Sequence, residues 1–161
     1  MSTTGIGQTK VGKWSITDHV QYTEANDHIR LAYRTYVPTR LKAMVIFYHG
    51  SGANSAAGYQ PIGEEMSQNF RIVTYLPDIR GHGLSEGPRG DAPSVQQVYN
   101  DVTSIIDAAH RQFPSVPVFL GGHSAGAGLV VNYINSPHPE VVNAYLFISP
   151  DFGPNSPIKG S

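Results

Sequence analysis

The apolar positions of this chain fall into a few dense runs, separated by glycine-rich and polar segments. AMVIFYHG (43–50) is continuously apolar and stops at a glycine. Such a run predicts a strand buried on both faces, as in a parallel sheet covered by helices. RIVTYLPD (71–78), VPVFLGG (116–122) and VNAYLFISP (142–150) read the same way. Earlier, Ser15–Tyr22 and His28–Val37 have strand character. Glu24-Ala25-Asn26-Asp27 between them is turn chemistry, so a hairpin is expected. Helical periodicity fills the gaps. Val95, Val98, Val102, Ile105, Ile106, Ala109 and Phe113 share one helical face. Ser94 with Gln97 three residues on predicts a capping box at its start, and Pro114 marks its stop. A weaker helix is expected over about 59–69 with Ile62 and Met66 inward. A third begins just after Ser124 and runs to about Asn135, before Pro137. A hairpin followed by strand–helix alternation gives an α/β fold. Its sheet is mostly parallel, with an antiparallel strand near the start and helices on both faces.

Composition narrows this picture. Hydrophobic residues make up 40% and charged residues 14%, so most of the 161 residues are expected to fold around one core. Residues 1–13 are polar and Gly/Thr-rich and read as a flexible terminus; residues 14–161 read as the core domain. The net charge is −1 and no Lys/Arg run stands out, which argues against nucleic acid and acidic membrane surfaces as partners. The absence of cysteine excludes a disulfide framework and a thiolate metal site, and fits a cytoplasmic protein. The start, MSTTGIGQTKVGKW, lacks the apolar core of a signal peptide, and no run approaches the ~18 apolar residues of a membrane span.

The candidate chemistry centres on Gly122-His123-Ser124-Ala125-Gly126, a G-x-S-x-G pattern lying between a buried-type strand and an apolar helix. A serine on such a sharp turn is lifted out of the sheet. Side chains at the flanking positions would clash with neighbouring backbone, which is why glycine stands there. The helix start beneath it offers free N–H groups to a developing oxyanion. HGSGANS (49–55) follows another strand directly, and such a loop can bring a second N–H toward the serine. The donors in that role are the N–H groups of Ser51 and Ala125. As a phosphate loop the segment fails, since it has neither a Lys-Ser/Thr ending nor G-x-G-x-x-G spacing. No cofactor or metal is expected. In DIRGHGLSEGPRG (78–90), Asp78, Arg80, His82 and Glu86 invite an acid–base or metal reading. Pairing of Asp78 with Arg80 to hold the loop, with His82 as a structural hydrogen bonder, is the plainer expectation.

Three motifs stand in order: HGSG, D-I-R-G-H-G-L-S-E-G, and G-H-S-A-G. Together they resemble the α/β-hydrolase superfamily. The D-x-R-G-H-G-x-S form beside a GHS elbow is most similar to the monoacylglycerol lipase/lysophospholipase branch, the serine aminopeptidase S33-like domain. The resemblance runs from about residue 20 to 150. It implies a serine hydrolase of carboxylic esters, with Ser124 as nucleophile and Ser51 and Ala125 as oxyanion-hole donors, acting on a small ester or lipid substrate. Many members of that branch carry Met-Gly-Gly after the serine where this chain has Ala125-Gly126-Ala127.

The resemblance also implies a base and an acid. In that family the order is Ser, then acid, then His, and the chain stops just after its sixth strand. The later strands, the cap insertion, the usual acid and the usual His are therefore expected to be absent. Asp151 follows the sixth strand and is a candidate orienting acid, or a loop residue making an Asx-turn before Pro154. His138 lies past the far end of the helix that starts at Ser124. His123 should point away from the serine, and His49 belongs to the loop rather than to proton transfer. An apolar sixth strand left as an open edge is a pairing template. The expected partner is a complementary C-terminal polypeptide, or a second copy associating through that strand. The alternative is a catalytically inactive truncated hydrolase fold serving as a binding or interaction module.

Overall fold

A computed structural model describes residues 10–11, 14–15 and 19–151. Most of the segment expected to be a flexible terminus, and Pro154 of the possible Asx-turn, lie outside the described residues. The elements are β1 (Lys10–Val11), β2 (Trp14–Ser15), β3 (His19–Glu24), β4 (Arg30–Tyr36), β5 (Ala43–Tyr48), α1 (Gln60–Phe70), β6 (Ile72–Pro77), α2 (Val95–Gln112), β7 (Val118–His123), α3 (Ala125–Ile134) and β8 (Ala144–Ile148). β1 and β2 form a minimal antiparallel ladder. The other strands make one six-stranded sheet in the order β3-β4-β6-β5-β7-β8.

β4 is antiparallel to both β3 and β6, while β6, β5, β7 and β8 pair in parallel. The expected hairpin is β3–β4, closed by Ala25 N–H to Ile29 O (2.8 Å) and His28 N–H to Ala25 O (3.0 Å). β5 is buried along its whole length. Its alternate side chains enter two separate cores, as strand geometry requires. Met44, Ile46 and Tyr48 pack under α2 and α3 with Val102, Ile106, Val130 and Tyr133. Val45 and Phe47 pack on the α1 side with Tyr36 and Leu76. Each fully buried side chain of this size contributes about 1.5–3 kcal/mol of transfer free energy.

One local expectation is corrected and another refined. Ser94 caps α2 by accepting the Gln97 N–H at 3.1 Å. The return bond of a capping box, Ser94 N–H to the Gln97 carbonyl oxygen, is not made; the Gln97 side chain turns away, its Nε2 donating to Asn26 Oδ1 and Asp101 Oδ1. In α1 the fully buried positions are Gly63 and Ser67, with Ile62 and Met66 only half-buried beside them. The cause is the large Tyr36 ring beneath: a Cβ on Gly63 would stand 2.2 Å from it. α1 ends at Arg71, left-handed at φ 59°, which lets β6 begin at once.

Candidate active site

β7 runs straight into α3, and Ser124 is the hinge between them, at φ 53°, ψ −121°. A non-glycine residue there carries strain of about 1–3 kcal/mol, tolerated only where the surroundings enforce it. They do. The Ser124 N–H donates to Ile148 O (3.0 Å), and its carbonyl accepts from Gly128 N–H (3.1 Å) and Asp151 N–H (3.0 Å). A Cβ on Gly122 would lie 2.4 Å from the Gly126 carbonyl carbon, and one on Gly126 would lie 2.4 Å from the carbonyl oxygens of Tyr48 and His49. The glycines flanking Ser124 are thus required by close approach of helix to strand and of helix to the end of β5.

The loop after β5 lies against this turn. A Cβ built on Gly50 would be 3.3 Å from Ser124 Cβ. The Gly50 N–H is occupied, donating to the Tyr59 hydroxyl at 2.8 Å. The Gly50 carbonyl accepts from Ala53 N–H (3.2 Å) and from its neighbour His49, whose Nδ1 lies at 2.8 Å. That carbonyl shares a trans peptide with the Ser51 N–H, so fixing one aims the other in the opposite direction. His49 is itself fixed: Ile79 N–H donates to its Nε2 at 3.0 Å, which leaves the ring proton on Nδ1. Burial pushes the His49 imidazole below its usual range, against a smaller opposing pull from Asp78.

The 78–90 segment supports this loop from below. Asp78 accepts Ser55 N–H (2.6 Å) and Leu84 N–H (2.8 Å). It does not pair with Arg80, contrary to expectation. A buried Arg80 guanidinium instead reaches Asp101 (2.7 and 2.6 Å) and Asp27 (2.8 and 2.9 Å). The choice follows from geometry: two carboxylates face its planar fork from α2 and the β3–β4 turn. Asp101, then Asp27, hold the guanidinium charged more firmly than usual, and the Arg80 bond holds Asp27 below the usual carboxylate range. Glu86 pairs with Arg30 at 2.9 Å. His82 Nδ1 lies 3.0 Å from Arg80 O, and its ring sits beside His49, so it is a structural bonder as expected.

The residues singled out in sequence therefore divide cleanly. Ser124, Ala125 and the Gly50–Ser51 peptide come together. Asp151 brings its backbone to the Ser124 carbonyl. His138 does not join them: the ten residues of α3 separate it from Ser124 by about 15 Å. His123 turns to the α1 side and meets the Tyr59 hydroxyl at 2.8 Å. Tyr59 itself was missed. It carries no motif, and its only sequence cue is an aromatic placed between a glycine loop and a helix. An open recess of about 310 Å³ lies beside it, lined by Ala57, Gly58, Tyr59, Ile62, His123 and Ile148. Among the described residues no group of three His, Asp or Glu is placed to hold a metal ion, and no helix is long and apolar enough to cross a membrane.

Residues 39–160 match the family model described as serine aminopeptidase, S33. Among curated relatives, the chain is 32% identical over 119 residues to an uncharacterized abhydrolase domain-containing protein of Dictyostelium discoideum, covering 73% of this chain and 12% of that one. It is 31% identical over 125 residues to the monoglyceride lipase homolog of Monkeypox virus, covering 78% and 44%. Against the monoglyceride lipase of Mus musculus it is 29% identical over 109 residues, covering 68% and 35%. The chain thus spans less than half the length of these relatives. Among solved structures, a soluble variant of monoglyceride lipase from Saccharomyces cerevisiae, in complex with a substrate analog, aligns with TM-score 0.69 at 23% identity, over 89% of this chain and 45% of that one. The α/β hydrolase GrgF from Penicillium aligns with TM-score 0.72 at 19% identity, over 82% and 45%.

Proposed function

Because the chain belongs to the serine aminopeptidase S33 family of α/β-hydrolases, we propose that it forms the nucleophile-bearing part of a serine hydrolase of carboxylic esters, acting on monoacylglycerol- or lysophospholipid-like substrates. The observation that carries this reading is the strained Ser124 turn facing the pinned Gly50–Ser51 peptide. In this role Ser124 Oγ attacks the ester carbonyl carbon and its proton passes to a histidine base. The carbonyl oxygen takes the negative charge and is held by the N–H groups of Ser51 and Ala125. Collapse of the tetrahedral species expels the alcohol, protonated by the same histidine. Water then frees the acid by the reverse sequence. The names of the monoglyceride lipase relatives support the substrate class.

Base and acid come, in this reading, from polypeptide beyond the described residues that pairs with β8. Support lies in the strand itself: Tyr145, Phe147 and Ile148 are about 40% exposed on a free edge. The same edge favours the second reading, an inactive fold that docks a partner strand. A fluorophosphonate probe separates the two. Labelling that Ser124→Ala abolishes supports the hydrolase. No labelling, alone or with an added C-terminal fragment from a relative, favours the module. Without its base the serine retains about 10³–10⁴-fold of catalysis over water, so labelling should rise steeply when the fragment is supplied.

A further inference from the structure

The Ser124 turn and the Gly50–Ser51 loop hang from different strands, and one side chain outside every motif ties them together. Tyr59 precedes α1 and is half-buried, its ring beside those of Phe47, His49 and His123 at centroid distances of 6.4, 6.4 and 5.9 Å. Its phenolic oxygen stands 2.8 Å from Gly50 N and 2.8 Å from His123 Nδ1. The backbone N–H can only donate, so the oxygen accepts at Gly50. Its contact with His123 Nδ1 is a hydrogen bond in either imidazole tautomer: the hydroxyl donates to a bare Nδ1, or the oxygen accepts a second proton from Nδ1–H. In both cases Tyr59 is bonded to Gly50 and His123 at once.

We infer that Tyr59 is a positioning residue that sets the distance between the oxyanion loop and the nucleophile. Its catalytic consequence rests on the serine-hydrolase reading above. Proximity and a tether make the argument. Gly50 sits close to Ser124, since a Cβ added to it would be only 3.3 Å from the serine Cβ. Tyr59 prevents outward movement, because it grips the Gly50 N–H and is anchored on His123, the residue joined to Ser124. The tether also withdraws the Gly50 N–H from the substrate side. Ser51, whose peptide carbonyl partner is pinned by His49 and Ala53, is left as the loop's donor. Donors act on a developing oxyanion only when held in place beforehand, and misplacement by 1 Å costs about 10²-fold in rate.

The test is Tyr59→Phe, which keeps the ring packing and removes only the hydroxyl. Nitrogen-15 NMR of the wild-type chain should show a hydrogen-bonded His123 Nδ1, and the substitution should shift that signal. Amide exchange at Gly50 should speed up about tenfold on loss of its partner. Fluorophosphonate labelling of Ser124 should slow by about tenfold or more at unchanged melting temperature. A His123 ring signal unmoved by the substitution, or Gly50 exchange unaffected by it, overturns the positioning role. Robust wild-type labelling that is equally fast in the variant overturns the catalytic consequence. If the wild type does not label even with the C-terminal fragment supplied, the hydrolase reading falls, and the ring and amide signals still decide the tether.

Discussion

β3 and β8 end the same six-stranded sheet, and they treat their free edges in opposite ways. β3 reads HVQYTE and mixes His19, Gln21 and Glu24 among its apolar positions. α2 reaches over it: Gln112 donates to Gln21 at 2.7 Å, and Arg111 lies 3.4 Å from the Thr23 hydroxyl. The Arg30 guanidinium sits 5.1 Å from the centre of the Tyr22 ring, covering its exposed face. β8 reads AYLFI, carries no charge, and stacks Tyr145 on Phe147 in the open. Polar and charged residues on an edge discourage further pairing, and an apolar edge invites it. β3 is thus composed as a boundary, and β8 as an edge open to further pairing.

The comparison can be broken most severely on the β3 side. Arg80→Ala strands the Asp101 carboxylate, whose side chain is 9% exposed, and frees the β3–β4 turn held through Asp27. A loss of about 3–5 kcal/mol is expected in urea unfolding. Ile46→Ala, in the fully covered β5, should cost about 2–5 kcal/mol by the same measurement. Acid sharpens the contrast next. The unfolded chain protonates His49 near its ordinary pKa of 6.5, whereas the buried ring resists the proton. Stability is therefore complete above that value and declines as pH falls below it. Asp27 adds a further loss only in stronger acid, below its ordinary 3.8. Melting temperatures from pH 7.5 to 5 should fall in the wild type and fall less in His49→Gln. The smallest stability effect belongs to β8. Phe147→Lys should change unfolding by no more than about 0.5 kcal/mol, yet lower self-association in sedimentation or abolish capture of a complementary fragment. An equal effect of Val20→Lys on β3 would erase the distinction between the edges.

Much of the fold was legible because burial on two faces leaves a plain mark: continuous apolar runs at 43–50, 71–78 and 116–122, and a 3.6-residue period over 95–113. The serine turn was legible too, since close backbone approach admits only glycine at 122 and 126. The same reasoning failed where partners are distant in sequence. Asp78 and Arg80 are two residues apart and were expected to pair, yet Arg80 prefers carboxylates from 27 and 101. Gln97 was expected to close a capping box, yet its side chain turns toward acceptors at 26 and 101 rather than back to Ser94. Tyr59 gave only a weak cue, because its role depends on two groups, at 50 and 123, that only the sheet brings together.

The sequence by itself determined the class of fold, the order of its elements and the identity of the strained serine, because periodicity and steric exclusion act within short stretches of chain. Hydrophobic pattern alone did not distinguish β5 from β8, since both are apolar runs of the same kind; the family resemblance is what placed the sixth strand at an open edge. The tertiary structure decided that Arg80 serves Asp27 and Asp101, and that Tyr59 spans loop and turn. These depend on strand order and on hydrogen-bond geometry between residues far apart in the chain, which no local pattern encodes.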